Sequence, residues 1–259
     1  MTRVLTALLL IPFVAAVNFY GPPLLVSAVM ALVALLALRE FFELSGKLAL
    51  NPFRTAGYAA GLVLIVGKPP DAAAYFAGLT ILFLLLAVNP QLPLSAAFGA
   101  VAATLFGVIY ICGAFAIGNR LHAAGPHWFF CVLLLNWVGD GAAYYVGRAL
   151  GRHKMSPRIS PNKTWEGAIG SALFAVAAAA AYLGYFLADW VTVWQAALFG
   201  LGINISAQLG DLAESALKRG ADVKDSGSLL PGHGGMLDRV DGLLFSMPAG
   251  YFFLLLLTG

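Results

Sequence analysis

Residues 208–241 read QLGDLAESALKRGADVKDSGSLLPGHGGMLDRVD and hold six of the twelve carboxylates in a 259-residue chain that is 61% hydrophobic. Charge this dense beside apolar sequence is costly near a bilayer, and the usual reason to keep it is chemistry. Read as a helix, 208–219 brings Gln208, Asp211, Ser215 and Lys218 onto one face, with Glu214 beside them. The SGSLLPGHGG loop follows, and its glycines let backbone amides approach an anion. Asp238 and Asp241 then lie one turn apart where the last apolar run begins, at the positive end of its helix dipole. With no thiolate and one imidazole, His233, the set suits a hard, oxygen-seeking cation such as Mg2+, shared between few carboxylates and substrate phosphates. The competing reading is a solvated loop with surface ion pairs. Six carboxylates, four Lys or Arg and PGHGG in one segment weigh against it.

Working outward, nine apolar runs fall near 4–20, 23–42, 55–67, 72–88, 94–118, 126–147, 167–188, 191–210 and 242–258. Most approach the roughly 20 residues a helix needs to cross the hydrocarbon core, and the third is short. Helices are expected because every backbone group must be satisfied internally and barrel-type alternation is missing. The fold predicted is all-α, a polytopic integral membrane protein with about nine transmembrane helices. It forms a single transmembrane catalytic domain over 1–259, with N-terminal helices in 1–125 and the motif-bearing core in 126–259. A mean hydropathy of +0.86 excludes an ordinary soluble domain. The formal charge of +3 is spread over short loops, which argues against nucleic acid as a partner. Cys112 and Cys131 sit inside apolar runs and read as buried small hydrophobes.

With the N-terminus in the cytoplasm, inside segments collect 13 of the 15 Lys and Arg, leaving Lys68 and Arg120 outside. The carboxylate-rich segment then faces the cytoplasm, where nucleotide is available. Arg3 before an apolar stretch, with Ala15, Ala16 and Val17 behind it, also admits a cleavable signal; removing it leaves the later topology unchanged. The stretch REFFELSGKLALNPFR after the second run fits either a short amphipathic interfacial element or a simple helix end plus loop. His122 and His127 flank a Gly-Pro turn on the outer side and receive no role.

In the sixth run Asn136, Asp140, Tyr144 and Arg148 recur at four-residue steps on one face. An aspartate near the end of a span should face the protein interior and pair with a cation. Arg148, Arg152, His153, Lys154, Arg158 and Lys163 follow, in GRHKMSPRISPNKTWEG. Guanidinium forks and ammonium charges both suit phosphate oxygens, though anchoring to anionic head groups is an equal reading for the first three. Ser160, Lys163, Thr164 and Glu166 form a compact polar set before the next apolar helix. Carboxylates for a cation, a Gly-rich anion loop and clustered bases are the parts of phosphoryl or nucleotidyl transfer.

Two blocks, SALKRGADVKDSGSLLPGHGGMLDRVD (215–241) and DGAAYYVGRALGRHKMSPRISPNKTWEG (140–167), resemble the signature of the CDP-diacylglycerol synthases, or phosphatidate cytidylyltransferases. The resemblance implies that the phosphate of phosphatidate attacks the α-phosphorus of CTP, releasing pyrophosphate. It implies Mg2+ on Asp211 and Asp238, with Asp140, Glu214 and Asp241 near the metal and a second monovalent or divalent cation left open. Lys218, Arg219, Lys224, His233 and Arg239 would contact phosphates, with Asp225 among the catalytic set. Ser160, Lys163, Thr164 and Glu166 would line the same pocket, and Ser215, Gly232, Gly234 and Gly235 would also bind substrate. The partners implied are CTP, phosphatidate, membrane lipids and a second copy of the chain as a homodimer. The expected location is the bacterial inner membrane, with the site facing the cytoplasm. Asn162, Gly242 and Gly141 depart from the usual pattern. The alternatives are another CTP-dependent lipid enzyme, such as a polyprenol kinase or an archaeol-type cytidylyltransferase, and a small ion-coupled transporter, for which paired broken helices are not evident.

Overall fold

The computed structural model describes residues 2–67, 69, 71–229 and 234–258, with side chains of 2–10 and 258 outside the description. Ten helices follow in order: α1 (Thr2–Tyr20), α2 (Pro23–Lys47), α3 (Arg54–Leu62), α4 (Ala72–Ala87), α5 (Leu94–Gly107), α6 (Ala114–Ala124), α7 (Pro126–Leu150), α8 (Trp165–Phe186), α9 (Val193–Gly220) and α10 (Leu237–Thr258). Short π-helical turns, Val63–Gly67 and Val108–Gly113, extend α3 and join α5 to α6. Each of the nine apolar runs is therefore helical. Among the described residues six helical stretches are long and apolar enough to cross a membrane: Pro23–Lys47, Leu94–Ala124, Pro126–Leu150, Trp165–Phe186, Val193–Gly220 and Leu237–Leu257. Ile11–Tyr20, Arg54–Gly67 and Ala72–Ala87 are shorter. The chain is an integral membrane protein by this measure, nearly all-α.

One departure from all-α falls in the basic stretch. Lys154–Ser156 (β1) pairs antiparallel with Ser160–Thr164 (β2), in the register Lys154↔Thr164 and Ser156↔Ser160. Pro157 and Pro161 hide this hairpin from a reading by alternation, because proline is confined to edges and turns of a ladder.

Lipid removes the hydrophobic drive between helices, so close approach and interhelical hydrogen bonds hold them together. Glycines supply the approach. A Cβ at Gly170 would press on Val146, one at Gly200 on Ala179 and the Ala175 carbonyl, and one at Gly210 on the Asp241 carbonyl at 2.5 Å. These contacts weld α7, α8, α9 and α10. Polar links sit in the same seams: Ser171 Oγ donates to the Gly139 carbonyl at 2.9 Å, and Asn204 Nδ2 donates to Ser171 Oγ at 2.7 Å. Asn136 Nδ2 donates to Ser246 Oγ at 2.9 Å, tying α7 to α10.

The N-terminal helices pack on this core through α2 and α6. Asn119 Nδ2 donates to the Ile65 carbonyl at 3.2 Å, meeting a backbone acceptor in the first π turn. The stretch after the second run resolves as a helix end plus loop, with α2 running on to Lys47 and burying Phe41, Phe42 and Leu44. Cys112 and Cys131 are buried and unpaired, as their apolar settings predict. The two histidines given no role do have partners: His122 Nε2 lies 3.0 Å from the Asn18 carbonyl, and His127 Nδ1 lies 2.9 Å from the Tyr182 hydroxyl.

Candidate active site

Helix α9 is longer than its apolar run: it continues through Arg219, so the face carrying Gln208, Asp211, Ser215 and Lys218 is real. The capping box of Thr192 and Gln195 starts this helix. Its charged final turns lie beside the start of α10, whose first turn contains Asp238.

The two motif blocks, more than forty residues apart in sequence, meet here. Lys163 Nζ lies 2.7 Å from Asp211 Oδ2, so a cation from the hairpin faces a carboxylate from α9. Arg219 Nε donates to the Ile159 carbonyl at 3.2 Å, and its Nη1 donates to the Val223 carbonyl at 2.7 Å, clasping the hairpin to the end of α9. A cavity of about 170 Å³ opens between α7, the hairpin, α8 and α9. Asp140, Tyr144, Lys163, Thr164, Gln208 and Asp211 line it, together with the polar seam residues Asn136, Ser171 and Asn204.

Behind this cavity is a second ionic group. Lys218 Nζ lies 2.6 Å from Asp238 Oδ1 and 2.5 Å from Glu214 Oε2. Glu214 is fully buried, and both its oxygens lack a hydrogen bond of conventional alignment, leaving the ion pair as its polar contact. Asp238 is better satisfied: its Oδ2 accepts from Ser226 N at 3.0 Å and from Gly235 N at 2.8 Å. Ser215 Oγ donates to Asp211 Oδ1 at 3.3 Å, bridging toward the first group. The charges of Asp211, Lys163 and Arg239 act on Asp140, those of Asp211, Glu214 and Asp140 act on Asp241, and that of Asp238 acts on Glu214, so the five carboxylates share one electrostatic neighbourhood.

Other expected residues are placed differently. Thr164 caps α8, its hydroxyl accepting from Gly167 N at 3.2 Å, and also lines the cavity. Ser160 and Glu166 do not line it. Glu166 accepts from the amides of Arg152 at 3.1 Å and His153 at 3.2 Å and sits 2.6 Å from His153 Nδ1, so it fixes the entry into the hairpin. Lys224, Asp225 and Arg239 are exposed and do not line the cavity either. Gly232 and His233 lie outside the described residues. Gly234 has φ +77°, a left-handed conformation natural to glycine.

Sequence reasoning passed over Glu40. Only 4% exposed on α2, it accepts from Ser226 Oγ, Met236 N and Leu237 N, each at 2.8 Å. Its signal was an acid between Arg39 and Phe41, no more distinctive than the half-exposed acid Glu43 three residues on, which pairs with Arg39 at 2.9 Å.

The carboxylates of Asp140 and Asp211 at the cavity wall are the hard oxygen donors that a divalent cation of the Mg2+ type takes, and in the neighbouring ionic group the buried oxygens of Glu214 are short of hydrogen bonds. Among the described residues no three acidic or imidazole side chains enclose a metal by themselves.

The chain is similar to known proteins over most of its length. A family model described as "Cytidylyltransferase family" matches residues 1–257. A protein named phosphatidate cytidylyltransferase from Staphylococcus haemolyticus (strain JCSC1435) is 33% identical over 254 residues, 95% of each chain. Proteins of the same name from Brucella suis biovar 1 (strain 1330) and Bacillus subtilis (strain 168) are 52% identical over 120 residues and 43% identical over 142. Those alignments cover 45% of this chain with 43% of the Brucella protein, and 54% with 52% of the Bacillus protein.

Proposed function

Because this chain belongs to the cytidylyltransferase family, we propose that its cavity is where phosphatidate and CTP are joined to give CDP-diacylglycerol and pyrophosphate. The observation that carries the reading is the meeting of Lys163 with Asp211 at the wall of one polar cavity between apolar helices, with Arg219 tying the second block to the hairpin of the first beside it. A diacyl lipid enters such a cavity sideways, and nucleotide reaches it from water.

The nucleophile needs little activation. A phosphate monoester has its second pKa near 6, so it is already largely dianionic at neutral pH. The chain's work is alignment and charge neutralisation. Lys163, at the cavity wall, offers its ammonium to a phosphate oxygen when Asp211 turns to a cation. Lys218 holds Glu214 and Asp238 at fixed spacing and so sets where a second phosphate group is accepted. Asp211 and Asp238 would hold Mg2+, with Glu214, Asp241 and Asp140 close by. Bound there, the ion supplies Lewis-acid neutralisation of charge developing on the phosphates. Arg219 and the exposed Lys224 and Arg239 would meet the pyrophosphate as it leaves.

The topology proposed places the N-terminus and both blocks in the cytoplasm of a bacterial inner membrane, with about nine crossings. The shorter helices Arg54–Gly67 and Ala72–Ala87 form a consecutive pair, so the orientation of every later helix is the same whether both cross or neither does. The described part of the site is assembled within one chain; a homodimer is proposed only as the assembly state.

CTP labelled at the α-phosphorus tests the reaction. Purified protein in detergent, given phosphatidate and Mg2+, should carry that label into lipid, whereas label at the γ-phosphorus should appear in pyrophosphate. Chelation of the metal should stop both, and added Mg2+ should restore them. Transfer of γ-label to a lipid alcohol would replace this reading by a lipid kinase.

Gly235→Ala gives a second expected outcome. A Cβ there would run into the carboxylate of Glu40 and the hydroxyl of Ser226, which are buried and bonded to each other and must part or shift together to admit it. Displacing Asp238 by about 1 Å costs about a hundredfold in turnover, by the general sensitivity of aligned reactions. Initial rates at saturating substrates, normalised to folded protein, measure it.

A further inference from the structure

We propose that Glu40 is a positioning residue for the transfer reaction: from helix α2 it holds the backbone on which Asp238 is set, without touching the reacting groups itself.

The geometry is a clamp with two jaws. Asp238 accepts from the amides of Ser226 and Gly235, at 3.0 and 2.8 Å. Glu40 takes the neighbouring donors of the same two segments: the hydroxyl of Ser226 and the amides of Met236 and Leu237, each at 2.8 Å. One carboxylate therefore grips each side of two backbone segments, at Ser226 and at Gly235, that are nine residues apart in sequence. Met236 and Leu237 open α10, so Glu40 also acts as a remote N-cap, meeting first-turn amides that no residue of α10 satisfies.

Glycines mould the clamp. A Cβ on Gly227 would lie 2.6 Å from Glu40 Oε1, and one on Gly235 would collide with Oε2. Among the described residues Glu40 forms no ion pair, and burying a carboxylate without a cation is expensive unless its oxygens are saturated with hydrogen bonds. Saturation is what the three donors provide. Holding a helix end against a loop asks for no charge, since Asn or Ser caps helices as well. A buried anion 186 to 197 residues from its partners is the arrangement expected where the position of a neighbouring carboxylate matters.

The proposal rests on the reading of Asp238 as a carboxylate that holds the reaction's cation. Its test uses the full-length protein in detergent and three variants: Glu40→Gln, Ser226→Ala and, as a surface control, Glu43→Gln. Gln keeps the size of Glu but turns an NH2 toward amide donors. Three quantities are read: turnover with CTP and phosphatidate, half-saturation by Mn2+ followed by EPR without substrate, and hydrogen exchange of peptides containing Ser226 and Gly235. For Glu40→Gln the expected result is turnover about a hundredfold lower per folded molecule, Mn2+ half-saturation about tenfold higher, and faster exchange at both peptides. Ser226→Ala should show the same changes in smaller measure and add little on the Glu40→Gln background, because both remove one hydrogen bond. Glu43→Gln should match the unaltered protein.

Turnover and Mn2+ half-saturation unchanged in folded Glu40→Gln, or shifted equally in Glu43→Gln, overturn the proposal. Should Glu40→Gln fail to fold, Ser226→Ala decides: unchanged values overturn it, raised half-saturation with faster exchange at the Gly235 peptide supports it. If the unaltered protein makes no CDP-diacylglycerol while Glu40→Gln still weakens Mn2+ binding, the reaction assignment falls and the clamp stands.

Discussion

Asp211→Asn and Asp238→Asn are each expected to lower CDP-diacylglycerol formation at least about a thousandfold, equivalent to about 4 kcal/mol of transition-state stabilisation. Asparagine keeps the shape and one acceptor oxygen of each side chain but removes the charge that a divalent cation needs. The two variants differ in what else they disturb. The Asp211 side chain is 38% exposed and paired with a Lys163 side chain that is 23% exposed, so the fold should tolerate its neutralisation. Asp238 is 7% exposed and braces Lys218 and two backbone amides, so its replacement should also lower thermal stability in detergent. Rates per folded molecule separate the two effects. Turnover near the unaltered level in both variants would remove these residues from the site.

The second large effect is on folding. Lys218→Met should destabilise the protein by about 3–5 kcal/mol, because it leaves the fully buried Glu214 with an uncompensated charge. Pairing it with Glu214→Gln should recover much of that loss while activity stays low, since Asp238 still lacks its ammonium partner. Lys163→Met makes the contrast: its partner Asp211 is 38% exposed and can be solvated once the ammonium is gone, so stability should fall less than in Lys218→Met while turnover falls. Denaturation midpoints in detergent for the four proteins provide the measurement. A Lys218→Met protein as stable as the parent would mean that the buried ion pair does not hold α9 to α10.

How much of this was written in the sequence differs from element to element. The apolar runs gave every helix, because a bilayer leaves the backbone few other choices. Spacing gave the functional face of α9, since residues at four-step intervals share a side of any helix. Convergence of the two blocks was expected from charge placement, since a topology that gathers 13 of the 15 bases on one side puts 140–167 and 208–241 at one end of the bundle, and the Arg219–Ile159 contact joins them. The hairpin was not legible, because its strands are short, proline-bearing and polar. Glu166 read as a pocket residue from its position in the motif, whereas its oxygens are taken by backbone amides of the preceding loop, a partner choice that depends on the hairpin turn. Glu40 was beyond reach for a different reason. Its partners lie nearly two hundred residues away, and no local pattern distinguishes an acid that caps a distant helix from one that faces water.

Pulsed EPR on the protein loaded with Mn2+ and CTP tests the central claim most directly, because it reads the distance between the ion and the nucleotide's phosphorus atoms through their hyperfine coupling. The account predicts strong 31P coupling in the unaltered protein and its loss, together with tight Mn2+ binding, in both Asp211→Asn and Asp238→Asn. Protein-bound Mn2+ showing the same coupling and affinity in both variants would contradict it.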